Sequence, residues 1–559
     1  MPEPRDLVAG GAAGLAAGLI LLPGPGSLLD AGPGPLLHLA AATALGAGLG
    51  VVFAQTGGSA AANLSRGLLL GLLWWQLAAL TLEPLLAGRA PTWSIDEAAF
   101  ELPALVCALL FGGLTGLILV LLPSQSSASV ERAVRTRVVV LGGGFGGVAT
   151  ARRLERLFAR DPGVEIALVS KGNSLLFTPM LAEVASSALE ARHISAPIRA
   201  LCPRTRFHRD TAVDVDLDAR LVRLAGGRTL PYDHLVLALG AVPSYSGING
   251  LAEHAFTLKS LGDAVALRNH VIEQLERADV EPDEAERQRL LTFVIAGGGF
   301  AGTETVAELF DLCHVVLRYY PRVEPEELRF VLVHSRDHIL PELGPELRAY
   351  ALERLRRRGI EFLLERRVAG ATAGAISLAD GTEIPTRTVI WTAGNRPHPL
   401  PAELGLPVSR AGAVLVDSTL RVEGRDDVWA VGDCARIPVP GVPDAWYPPT
   451  AQHALREGKA LAANLAAVLA GREPKPFRFS AIGTLVALGH RTAVAEIRGR
   501  RFSGLLAWLL WRCVYWTKLP GLEKKLRVGL DWSIDLAFPR DIALTTTERE
   551  RVPAAARDA

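Results

Sequence analysis

The sequence predicts an α/β chain of two like domains, with an apolar helical bundle ahead of them and an amphipathic tail behind. Three observations carry this. A strand–glycine loop–helix pattern occurs twice, 155 residues apart. Charge is spread unevenly: residues 1–129 are about 8% charged and the remainder about 25%, the latter ordinary for a soluble domain. After residue 477, tryptophan, leucine, arginine and lysine crowd one short span.

The charge-poor piece offers four apolar stretches, roughly 7–29, 35–54, 67–88 and 102–122, each near the 20 or so residues a bilayer-crossing helix needs. The leading MPEPRD holds one arginine against two acids, so the first stretch is a poor signal peptide. With both ends in the cytoplasm, Arg5, Arg66, Arg132, Arg135 and Arg137 lie inside. Arg89 lies outside with Asp30, Asp96, Glu97 and Glu101, as the excess of basic residues on cytoplasmic loops requires. His38 is the one histidine there, so a bis-histidine haem has no second ligand. The expectation is a four-span domain over 1–123, acting as an anchor in the cell membrane, then a Ser-rich linker over 124–135.

Composition excludes several other classes. At 49% hydrophobic, with a mean hydropathy of +0.26, the chain is neither disordered nor fibrous. A net charge of +1 gives no field to recruit nucleic acid. Cys107, Cys202, Cys313, Cys434 and Cys513 are scattered without a C-x-x-C pair, so no zinc ribbon, thioredoxin-like pair, disulfide scaffold or other metal site is expected. A reduced body on the cytoplasmic side follows.

The repeated pattern carries the chemistry. RVVVLGGGFGG places Gly142, Gly144 and Gly147 between a strand and a helix, and TFVIAGGGFAG does the same with Gly297, Gly299 and Gly302. In a G-x-G-x-x-G loop the glycines make the tight turn and let backbone N–H groups reach a pyrophosphate at the helix N-terminus. Two such loops imply two Rossmann-like dinucleotide-binding domains. Phe145, Gly146 and Phe300 belong to the same loops. VWAVGDCA ends a buried strand at Gly432-Asp433, where a carboxylate can hold a polyhydroxy chain such as ribityl. Two more strands end in small residues, at Ala238 and Gly240 and at Ala393 and Gly394, and admit a flat cofactor.

With these residues in view, 136–540 resembles the type II NADH:quinone oxidoreductases, single-subunit flavoproteins with a glutathione-reductase-like fold. The segments GGGFGG, LFTPML, LVLALG, AGGGFAGTE, WTAG, WAVGDCA and PPTAQHALREG carry the likeness. It implies FAD at the first loop with Asp433 on its ribityl chain, and NADH or NADPH at the second. Phe177, Thr178 and Pro179 would lie near the isoalloxazine ring, and Glu304 on the nicotinamide side. Ala451 and Gln452 would stand where the quinone, menaquinone or ubiquinone, arrives. Glu304 and Gln452 are then the candidate catalytic residues; Gln452 has helix packing after the Pro-Pro turn as its other role. The resemblance divides the body into an FAD domain over 136–289 and 391–476, an NAD(P)H domain over 290–390 and a membrane-association domain over 477–559.

Two departures stand out. The strand after a dinucleotide loop ordinarily ends in an acid that binds ribose hydroxyls. Here Ser170 and Lys171 follow the first loop, and His334, Ser335 and Arg336 follow the second. Without that carboxylate nothing repels a 2′-phosphate, and Arg336 can pair with one, so NADPH is an expected substrate; His334 can alternatively stack on or cap the adenosine. In the tail, 477–499 reads as two strands, and 500–538 as a helix in the bilayer interface. Trp508, Trp511, Tyr515 and Trp516 lie there beside Arg512, Lys518, Lys524 and Lys525. The spans hold no chain of buried acids, so no proton pumping is expected. A homodimer is an allowed assembly. Rival expectations are a sulfide:quinone oxidoreductase, which needs cysteines at the flavin, and a non-catalytic FAD-binding sensor.

Overall fold

The computed structural model describes residues 134–480 and 483–544 without a break, and 8, 11–17, 43–47, 60–86, 88, 90, 91, 93 and 102–121 before them. The chain divides into two compact units, 1–132 and 133–559.

In the first unit, the helix Ala60–Leu77 continues through a π-helical turn, Ala78–Leu82, into Glu83–Leu86. It lies against the helix Leu102–Leu121 through glycine. A Cβ on Gly67 would run into the Gly112 carbonyl, and one on Gly71, Gly112 or Gly116 into that of Ala108, Gly67 or Asn63. Small residues four apart on both helices are how membrane helices approach closely. Leu69, Leu73 and Leu77, and Leu102, Val106 and Leu110, remain exposed. Among the described residues one helix, Asn63–Thr81, is long and apolar enough to cross a membrane, and Leu102–Ile118 is a shorter apolar helix. The expected spans 7–29 and 35–54 fall mostly outside the described residues, as does most of the linker, so four spans reduce here to one of spanning length.

The second unit is built on two parallel sheets with the same plan. The first runs Val428–Ala430, His234–Leu237, Thr136–Leu141, Val164–Ser170, Arg206–Arg209. The second runs Ala255–Phe256, Thr388–Trp391, Thr292–Ala296, Arg329–Val333, Glu361–Leu363. In each, the strand before the glycine loop lies at the centre, an apolar run buried from both faces as a parallel sheet demands. Each sheet also carries a three-stranded antiparallel insertion, over 212–231 before the strand His234–Leu237 and over 368–385 before the strand Thr388–Trp391. An antiparallel ribbon, Ala241–Pro243 with Asn395–Pro397, joins the domains.

The boundaries differ from expectation in two places. Residues 255–290, assigned by sequence to the first domain, belong to the second. The strand Ala255–Phe256 pairs with Thr388–Trp391, and the helix Leu261–Val280 turns Leu267, Val271 and Leu275 into the second domain's core. Phe477 is buried in the first domain's core, so the last module begins at the strand Gly483–Ala487. The two strands read over 477–499 are Gly483–Ala487 and Ala493–Ile497, and a third antiparallel strand, Arg500–Ser503, opens the stretch expected to be helical. Its single expected helix is two, Gly504–Lys518 and Leu522–Ala537, broken at Pro520-Gly521.

Candidate functional site

The first loop is tight on its protein side and clear on the other. Gly142 has φ +115°, and a Cβ there would strike the Ala238 carbonyl; one on Gly147 would strike Gly142. At Gly144 and Gly240 a Cβ would meet nothing within 4 Å. The helix Phe145–Leu157 starts with no side-chain cap, which leaves its first N–H groups to a ligand. Gly146 packs on Val431, and Ser170 lies under Gly143, with Lys171 exposed beyond it. Asp433 makes no hydrogen bond to a described residue, and burial raises its pKa against the pull of Lys259. Glu457 accepts from the Gly432 N–H at 2.9 Å and fixes that turn. Burial lifts Glu457 to about 7. Phe145 meets Phe177 edge-on at 5.8 Å, just before the turn Thr178–Met180 that holds Thr178 and Pro179. A flavin dinucleotide fits this cradle.

The second loop repeats the first. Gly297 has φ +124°, a Cβ on Gly302 would strike the Gly297 carbonyl, and Gly299 faces open space before the uncapped helix Phe300–Val316. Ala393 closes on Gly297 from the neighbouring strand end. At Gly394 the missing Cβ makes room for the Ser244 carbonyl rather than for a cofactor, a correction to the expected close approach. His334 takes the acid's place in an unforeseen way. Its Nδ1 accepts from the Gly298 N–H at 3.1 Å, so its proton is on Nε2, which is buried without a partner. Burial, with Arg336 and His338 adding, lowers its pKa, and the ring stays neutral. Arg336 is exposed at the same strand end.

The last module closes over the second loop's helix. Glu304 Oε1 accepts from the Ala487 N–H at 3.1 Å. Burial pushes the Glu304 carboxyl up to about 8; the Ala487 bond and the Trp511 indole pull it down, and Glu308 raises it further. At neutral pH it therefore keeps its proton. Thr450 caps the helix Ala451–Leu469, placing Ala451 and Gln452 in its first turn, and Gln452 Nε2 donates to the Gly483 carbonyl at 3.3 Å. Tyr515 meets Phe177 edge-on at 6.1 Å. The site thus brings Phe145, Phe177, Glu304, Gln452 and the C-terminal module into one region.

Of the tail's aromatic and basic residues, Trp508, Arg512, Tyr515, Lys524 and Lys525 are half-buried, while Trp516 and Lys518 are exposed. Trp511 is buried, and Arg512 lies over the rings of Trp508 and Trp532. Aliphatic residues also face out: Leu505, Leu506 and Leu509, then Leu522, Leu526, Leu530 and Ile534 at helical spacing.

Residues 136–458 match the pyridine nucleotide-disulphide oxidoreductase family, and 482–541 match the NDH2 C-terminal domain. A type II NADH:quinone oxidoreductase of Mycobacterium tuberculosis is 30% identical over 445 residues, 76% of this chain and 93% of its own. The chain belongs to the type II NADH:quinone oxidoreductase family. A probable NADH dehydrogenase of Dictyostelium discoideum is 32% identical over 75% of this chain and 95% of its own. In fold, the structure of NDH2 from Plasmodium falciparum in complex with NADH aligns at a TM-score of 0.67, with 18% identity, over 73% of this chain and 99% of that one. For the sulfide-oxidising rival, the buried Cys202, Cys313 and Cys434 supply no pair: Cys202 and Cys313 sit in separate cores, and Cys434 Sγ contacts backbone carbonyls.

Sequence reasoning missed Lys259, Glu457 and a set of buried ionic groups around Glu308: Glu183, Asp535 and Arg540. Lys259 has no motif of its own, and Glu457 lies within PPTAQHALREG, where nothing in the sequence ties it to Gly432. The others come from segments more than 100 residues apart and meet only in the fold.

Proposed function

We propose that this chain is a membrane-bound flavoprotein that oxidises NAD(P)H at the second loop and reduces a quinone beneath the C-terminal module. Bound FAD supplies the hydride-accepting and electron-donating chemistry. The protein's part is to bind, orient and exclude water. The first loop and Asp433 hold the FAD pyrophosphate and ribityl chain, while Phe177, Thr178 and Pro179 flank the ring. Glu304, neutral and anchored by Ala487, donates its proton as a hydrogen bond on the nicotinamide side. Gln452 orients a quinone carbonyl. The observation that carries this reading is the repeated cradle, one loop open beside Asp433 and the other roofed by Ala487 over Glu304.

His334 and Arg336 support acceptance of NADPH as well as NADH: the acid that would repel a 2′-phosphate is absent and a guanidinium is exposed nearby. The leucine ridge of the last two helices and the glycine-packed helices of the first unit support attachment to the cytoplasmic face of the cell membrane, the first unit as a multi-pass anchor.

The test is a steady-state assay in liposomes, pairing NADH and NADPH with menaquinone and ubiquinone analogues. The expected result is a yellow protein, active with both nucleotides, whose Glu304→Gln variant reduces its flavin at least about tenfold more slowly in single turnover. A colourless protein ends the reading; a strong NADH preference ends its NADPH part.

A further inference from the structure

The conversion NAD(P)H + H⁺ + quinone → NAD(P)⁺ + quinol takes one proton from solution for every hydride transferred, and the quinone side of the site is roofed by protein. A buried ionic cluster lies between the second loop's helix and the C-terminal helices. Glu308, one turn after Glu304, accepts from the Ser186 hydroxyl at 2.9 Å and pairs with Arg540 at 3.0 Å. Arg540 also pairs with Asp535 at 3.2 Å, and Arg512 stands 3.7 Å from Asp535. Two guanidinium groups thus balance two carboxylates, and Asp311 is served separately by Arg358.

Glu183 enters this cluster without a close ion pair of its own, and feels Arg512 only at longer range. It lies on the short helix Leu181–Ala185, directly after the turn that holds Thr178 and Pro179. Its Oε1 accepts from the Trp532 indole at 3.0 Å, and its Oε2 is buried with no partner. Burial raises its pKa well above the usual range, and Glu308 and Asp535 add to the rise against Arg512 and Trp532. The neutral Tyr515 feels both Glu183 and Glu304; of the cations nearby, Arg540 is paired with Glu308, and Arg268 is bonded to the Ser187 hydroxyl. Outward the cluster reaches Asp535 and Arg512, whose side chains are 17% and 13% exposed.

We propose that Glu183 holds the solution proton consumed in quinone reduction, at the inner end of an entry route lined by Glu308, Arg540, Asp535 and Arg512. The proton leaves the Glu183 carboxyl toward the quinone side, and the resulting carboxylate is reprotonated along the route; no bond other than O–H is made or broken. This role rests on the quinone-reductase reading above. Glu183 touches no substrate and acts by supplying the groups that do.

The test uses full-length protein with its flavin and the isosteric Glu183→Gln, which keeps an acceptor for Trp532. In the resting protein, without nucleotide or quinone, the infrared carboxylic-acid C=O absorption of wild type contains, beside the contribution of Glu304, a component that is lost in Glu183→Gln. Single-turnover flavin reduction by NADH stays within about twofold, while quinone-dependent turnover falls about tenfold near neutral pH and its pH profile changes shape. Glu183→Asp, which restores the carboxyl, recovers part of the turnover. An unchanged band, an unchanged turnover and pH profile, or an equal loss in both half-reactions overturns the proposal. Wild type that never reduces a quinone overturns the underlying reading instead, while the band still reports whether Glu183 is protonated.

Discussion

The two sheets of the second unit share one plan, and their glycine loops bend at the same positions. What differs is the helix each loop opens. Offset by 155 residues, Ala149, Arg153 and Arg156 in the first helix correspond to Glu304, Glu308 and Asp311 in the second. Ala149 is small and buried under a neighbouring helix, and the two arginines are exposed. The three acids face inward, beneath the C-terminal module. The same backbone thus makes a cradle whose helix buries no acid in one copy and a cradle beside buried acids in the other. The cause is what covers the helix: Gly458 lets the helix Ala451–Leu469 close on the first, whereas strands and Trp511 cover the second.

The sharpest way to separate the two copies is to fill each cradle in turn. A valine at Gly147 or at Gly302 must push aside the carbonyl of Gly142 or Gly297. Overpacking of this kind costs about 1–3 kcal/mol, roughly a 5- to 150-fold loss of affinity. Gly147→Val should purify pale, with flavin content well below one per chain. Gly302→Val should stay yellow and lose its response to NAD(P)H. Equal flavin loss in both variants would show that the copies do not divide the two nucleotides between them.

A second comparison tests whether the second copy depends on its buried charges. Arg540, 8% exposed, serves both Glu308 and Asp535. Arg540→Met strands Glu308 and leaves Asp535 to Arg512 alone, and breaking a buried pair costs about 3–5 kcal/mol. A clear drop in melting temperature should follow, whereas Arg206→Met, which removes an exposed partner of Glu165 in the first domain, should leave it unmoved. Matching shifts in the two variants would mean that the inner cluster adds nothing beyond an ordinary surface pair.

The loops were legible because the information is local: strand, glycine spacing and helix follow one another within 20 residues, and the turn needs those glycines whatever surrounds it. Glu183 was not legible, because its meaning depends on Trp532, Glu308 and Asp535, which only tertiary packing brings to it. The tail misled for a related reason. Tryptophan beside arginine suits a lipid interface, and it equally suits a core in which Arg512 lies over Trp508 and Trp532. Leu522, Leu526, Leu530 and Ile534, spaced by four, were the better sign of the exposed face. His334 read as a missing acid; only the Gly298 hydrogen bond shows it holding the loop from below.

The smallest expected effect is a slope. Each domain holds an acid with a raised pKa: Glu457, at about 7, under the first cradle and Glu304, at about 8, in the second, both ordinarily near 4.5. The folded state keeps these protons where the unfolded chain has released them, so stability is full below about 4.5 and falls as pH rises. Glu457 stops contributing above about 7, leaving Glu304. One such group accounts for at most about 1.4 kcal/mol per pH unit. Melting temperature should therefore still decline between pH 7 and 8, a window above the ordinary histidine range. Glu304→Gln should flatten that decline, whereas Glu457→Gln should flatten only the part below 7. A wild-type melting curve already level from pH 7 to 8 would put Glu304 in its charged form, and its hydrogen-bond role at the nicotinamide would have to become that of an acceptor.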